Sequence, residues 1–68
     1  MNIEIVINGE VRSTSEGQTV LGLLHQLNLD PARVAVELDR RIVKQQKWSE
    51  TPVSAGSQLE IVQFVGGG

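Results

Sequence analysis

Ile3, Ile5 and Ile7 alternate with Glu4 and Val6 at the start of the chain. β-branched residues at period two predict a strand with one buried face. Asn8-Gly9 follows, and this pair suits the two positive-φ positions of a type I′ hairpin turn. The return strand, Glu10 to Thr14, is polar enough to belong at a sheet edge, and Glu16-Gly17 breaks the chain after it. The period then changes. Val20, Leu23, Leu24 and Leu27 fall at i, i+3, i+4 and i+7, which is one stripe of a helix facing a core. Thr19 is placed to cap that helix. Gly22, where a glutamate or glutamine would complete a capping box, weakens it by roughly 1 kcal/mol against alanine. Asn28 is a terminator, and Asp30-Pro31 prevents continuation because the residue before proline avoids the helical region.

Alternation returns at Val34 to Leu38 with Val34, Val36 and Leu38 inward. A strand, a helix and a further strand form the setting for a crossover between parallel strands. Ile42-Val43 predicts a short apolar strand, and Trp48 belongs to a single helical turn that lays its indole over the edge of the core. Turn chemistry at Thr51-Pro52 and Ala55-Gly56-Ser57 leads to the last strand, Gln58 to Val65, which runs into Gly66-Gly67-Gly68. The sum is an α+β roll of two layers, a mixed sheet of four to five strands clasping one main helix. Residues 1–65 are expected to form this domain and residues 66–68 a flexible tail.

Sixty-eight residues make one small domain of marginal stability, with little room for a catalytic cleft of its own. A net charge of −2 argues against nucleic acid, because phosphate binding needs a basic patch. The nearest approach to one, Arg40-Arg41 with Lys44 and Lys47, reads as solvated loop charge. No stretch approaches the roughly 18 apolar residues of a membrane span, and the start of the chain does not read as a signal peptide. A cytoplasmic location is the expectation. Cysteine is absent, which removes disulfides, thiolate metal ligands and side-chain sulfur nucleophiles.

Side-chain chemistry is correspondingly thin. His25 is the only histidine and lies off the apolar stripe, so it reads as an exposed bystander with no metal partners. The serines at 13, 15, 49, 54 and 57 have no nucleophile-elbow context. The carboxylates are scattered along strand surfaces and turns, and no acid–base pair emerges. Gly9, Gly17 and Gly56 are isolated turn glycines that cradle no phosphate. The chain reads as a non-enzyme.

The glycine tail is the remaining candidate. Without Cβ atoms, Gly66, Gly67 and Gly68 can be threaded through a narrow channel, and three residues reach about 10 Å at about 3.5 Å each. A carboxylate is a poor electrophile until it is joined to AMP as a mixed anhydride. A sulfur or nitrogen nucleophile can then displace AMP at an unhindered carbonyl. With no cysteine, covalent sulfur could be carried only at this terminus, as a thiocarboxylate.

These residues now support a resemblance. Gly17-Gln18-Thr19-Val20 enters a helix continuing with Leu23-Leu24. The Ala35-Val36-Glu37-Leu38-Asp39 strand, Ile42-Val43, Trp48, Val53 before the turn at Gly56, and Leu59 to Val65 then lead into the glycines. In this order the chain resembles, over essentially its whole length, the small sulfur carrier proteins of thiamine biosynthesis, the ThiS family, which have the ubiquitin-like β-grasp fold. It departs from the family pattern at Ser57, where an acidic residue is common, at Lys44, often proline, and at Gly22, often glutamate.

The resemblance implies a carrier with no catalytic residues and no bound cofactor. A ubiquitin-activating-like partner, consuming ATP, would adenylate Gly68. A sulfur donor system with a cysteine desulfurase would convert the adenylate to the thiocarboxylate, and a thiazole synthase would accept the sulfur. On the last strand Leu59 and Ile61 share the inner face, while Val62 and Phe64 point to the other, where Val6 is expected to join them as a docking surface. Three other readings share the fold or the tail. The small subunit of molybdopterin synthase has both, but this chain is short for that family. A ubiquitin-like modifier would be conjugated to lysines of target proteins. A passive β-grasp interaction module would not use the glycines.

Overall fold

A computed structural model describes residues 1–65. The elements are β1 (Asn2–Ile7), β2 (Glu10–Ser15), α1 (Val20–Gln26), a 3₁₀ turn (Pro31–Arg33), β3 (Val34–Leu38), β4 (Arg41–Val43), a second 3₁₀ segment (Gln45–Glu50) and β5 (Gln58–Gln63). The strands form one sheet in the order β2-β1-β5-β3-β4. The last strand thus fills the centre. It runs parallel to β1 and antiparallel to β3.

The crossover expected around α1 is resolved differently from a pair of parallel neighbours. β2 and β3 flank the helix, but β1 and β5 lie between them, and the parallel contact is β1 with β5. The alternation of β1 and β3 identifies which residues face the helix. It carries no information about which strand is inserted between them.

Both hairpins use left-handed backbone. Asn8 (φ 51°) and Gly9 (φ 83°) form the first, as the sequence predicts. Asp39 (φ 51°) and Arg40 (φ 70°) form the second without a glycine. Asp39 accommodates this because its side-chain Oδ1 accepts from the Gln58 amide at 3.0 Å, while its own N–H donates to the Gln58 carbonyl at 2.7 Å.

The hydroxyl of Thr19 accepts from the Gly22 amide at 3.1 Å and caps α1. Asn28 takes φ 58° beyond the other end. Val20, Leu23 and Leu24 are buried against Ile5, Val36 and Leu59 on the inner face of the sheet, with Leu27 half-buried at the rim. Each fully buried aliphatic side chain contributes roughly 1.5–3 kcal/mol, which is how a seven-residue helix containing glycine stays folded.

Trp48 departs from expectation. It is 3% exposed and belongs to the core itself, not to its edge. The 3₁₀ segment turns the indole inward, and its Nε1 donates to the Val43 carbonyl at 2.8 Å, so the polar atom is buried without a desolvation cost. Thr14 on β2 is also buried. It donates to Gln26 Oε1 at 2.8 Å and accepts from Gln18 Nε2 at 3.3 Å, tying the edge strand to the far end of the helix.

Candidate functional site

β5 delivers the chain toward the glycines, and its surroundings define the site. Its inner-face residues Leu59 and Ile61 are buried under α1, and Val62 is 59% exposed on the opposite face. The strand ends at Gln63, two residues short of the span its apolar run predicts. β3 begins at Val34, opposite Gln63, so the strand pairing ends there. One further bond, from the Phe64 amide to the Arg33 carbonyl at 2.7 Å, fastens Phe64 to the 3₁₀ turn before β3. Phe64 is 55% exposed. Gly66, Gly67 and Gly68, the residues to which the sequence assigns the chemistry, lie outside the described residues.

Ala35 stands directly opposite Val62 across the β3–β5 pair. Ile42 on β4 is exposed on the same outer face and lines a shallow groove with Ala35 and Val62. Glu37 and Glu60 face one another beside it and line the same groove. The result is an apolar strip with a carboxylate pair along one side.

Val6 does not join this strip. It lies on the outer face as expected, but its partners are Val11 on β2 and Gln58 on β5. Gln58 is four residues from Val62, about 13 Å along the strand at 3.3 Å per residue. The parallel register sets Val6 at the opposite end of β5, and Ile42 takes the place assigned to it. The sequence places Ile42 in a short strand, but only the pairing of Ile42 with Glu37 turns it outward.

The other candidate groups remain dispersed. His25 is exposed on α1. Among the described residues no three His, Asp or Glu side chains converge on a position for a metal ion. The ion pairs Arg33–Asp30 (3.7 Å) and Lys47–Glu50 (3.3 Å) are local and solvent-exposed, where such pairs contribute little. No helix among the described residues is long and apolar enough to cross a membrane. One residue acquires an unexpected role. The side chain of Asn8, which the sequence explains by its turn alone, makes a two-way hydrogen bond with the backbone of Ile61.

Comparison with known proteins agrees with this geometry. The crystal structure of a thiamine biosynthesis protein, ThiS from Geobacter metallireducens, superimposes with a TM-score of 0.84 at 28% identity, covering 97% of this chain and 100% of that one. The sulfur carrier protein ThiS of Escherichia coli is 32% identical over 66 residues, 97% of this chain and the whole of that protein. The thiazole synthase of Paramagnetospirillum magneticum is 44% identical over 66 residues, and there the chain spans only 20% of the relative's length. The same fraction of a second thiazole synthase, from Magnetococcus marinus, matches at 35% identity. Residues 5–68 match the ThiS family, and the chain belongs to it.

Proposed function

We infer that this protein carries sulfur for thiazole formation as a thiocarboxylate on Gly68. The supporting observation is the family match, which runs from β1 through the glycines to residue 68 and spans the full length of the E. coli carrier. A partner enzyme binds ATP, and the Gly68 carboxylate attacks its α-phosphorus. Pyrophosphate leaves and a glycyl adenylate forms. A persulfide, charged through a cysteine desulfurase, attacks the acyl carbon with its terminal sulfur and expels AMP. Cleavage of the sulfur–sulfur bond by a thiol then leaves the thiocarboxylate.

The domain contributes no acid or base to these steps. It contributes a rigid β5, a recognisable face and an unhindered acyl carbon. Val62, with Ala35 and Ile42 beside it, forms an exposed apolar strip, and Phe64, exposed two residues further along the chain, extends it into the docking surface for the activating enzyme. The thiazole synthase is the sulfur acceptor. Its support is that two proteins of that name contain a segment similar to this chain as about a fifth of their length.

Deleting Gly68, or replacing Gly67 with valine, is expected to abolish adenylation by the activating enzyme, followed as pyrophosphate release from ATP. Thermal melts should match the wild type, since the core among the described residues is built from positions 5 to 61. Full adenylation of either variant would refute the assignment of the reaction to Gly68.

A further inference from the structure

The parallel contact between β1 and β5 is short. Val6 pairs with Gln58 and Ile7 with Leu59, and then β1 ends at the Asn8-Gly9 turn. β5 continues for four more residues. On its other side β3 accompanies it to Gln63. On the β1 side the Asn8 amide donates to the Leu59 carbonyl at 2.9 Å, and beyond that point no strand runs alongside.

The side chain of Asn8 fills this gap. Its Oδ1 accepts from the Ile61 amide at 2.8 Å, and its Nδ2 donates to the Ile61 carbonyl at 3.1 Å. A carboxamide has the same donor and acceptor as a peptide group, so Asn8 adds one rung to a ladder whose backbone has already turned away. The turn does not explain this choice of residue. Glycine would supply positive φ equally well, and aspartate tolerates the same region but can only accept when ionised. Asparagine alone among these meets both the turn and both groups of Ile61.

We propose that Asn8 is a positioning residue for activation of the tail: its carboxamide clamps the free edge of β5 at Ile61 and so fixes the line along which the chain leaves the domain toward Gly68. Ile61 stands one residue before Val62 and three before Phe64, so the clamp acts where the docking strip meets the exit. Without it, β5 beyond Leu59 is held from the β3 side only. The docking residues on that side keep their place, and the loss falls on delivery of the acyl group. This inference rests on the reading of Gly68 as the group activated.

The test uses Asn8→Gly, which keeps the turn and removes the clamp, and Asn8→Asp, which keeps the acceptor for the Ile61 amide. Amide hydrogen exchange at Ile61 is expected to accelerate about tenfold in Asn8→Gly, as the net contribution of a hydrogen bond implies. Glu60 and Val62, which pair with β3, should exchange as in the wild type. In Asn8→Asp the Ile61 amide should stay protected. Adenylation by the activating enzyme, measured well below the melting temperature, should show a reduced kcat for Asn8→Gly with KM unchanged. Wild-type exchange at Ile61 in Asn8→Gly would overturn the clamp. Faster exchange with kcat unchanged would overturn the positioning role and leave a purely structural bond. If Asn8→Gly does not fold, Asn8→Asp decides: an Ile61 amide that loses its protection there contradicts the geometry. Failure of the wild type itself to be adenylated would count against the reading of Gly68, while the exchange result would still judge the clamp.

Discussion

Arg40 holds a backbone conformation that costs an ordinary side chain roughly 1–2 kcal/mol. Its φ of 70° completes a hairpin turn in which Asp39 is tied to Gln58 by both its amide and its carboxylate. Arg40 is exposed, so replacing it removes little packing. Arg40→Gly is therefore expected to stabilise the protein by about 1 kcal/mol, raising Tm by about 4–8 °C for a domain of this size. A melt at or below the wild-type temperature would show that the left-handed turn is not strained. At this scale the sequence is legible where a residue type announces its conformation. Asn8-Gly9 and Asn28 do so, and Thr19 announces its cap. Arg40 does not, because the β3–β4 turn is enforced by contacts to Gln58, nineteen residues from Asp39. Trp48 is a similar case. Its burial depends on the 3₁₀ segment turning the indole back to the Val43 carbonyl five residues earlier, a backbone course that no residue type announces.

β5 is the element on which the docking proposal turns. Its alternation correctly separates Leu59 and Ile61 from Val62, because a strand has only two faces and burial of one settles the other. Its neighbours are not written in its own residues. Strand order and register place Ala35 and Ile42 near Val62 and leave Val6 with Val11 and Gln58. The end of the strand at Gln63 is likewise fixed by where β3 begins. Phe64 is more than half exposed and held by one backbone bond to Arg33, and the proposed function makes it the aromatic anchor for docking. Phe64→Ala is accordingly expected to weaken binding to the activating enzyme at least about tenfold, or about 1.4 kcal/mol, with Tm essentially unchanged. Calorimetry giving equal affinities for mutant and wild type would remove Phe64 from the docking surface. A large fall in Tm would instead make it part of the core.

On the proposed function, the molecule as a whole separates stability from chemistry. Its core of aliphatic residues and one tryptophan supports a sheet with the last strand at the centre, and no described side chain is offered as an acid, base or metal ligand. In the sequence, the absence of cysteine, the single off-stripe histidine and the glycine run direct the reading toward Gly68, which lies outside the described residues. The central claim is that Gly68 carries the sulfur, and the intact mass of the protein tests it most directly. The protein would be weighed before and after incubation with ATP, the activating enzyme and a sulfur donor. The account predicts a gain equal to one sulfur in place of one oxygen, localised to Gly68 by fragmentation and lost when Gly68 is deleted. An unchanged mass, under conditions that convert the E. coli sulfur carrier, would contradict it.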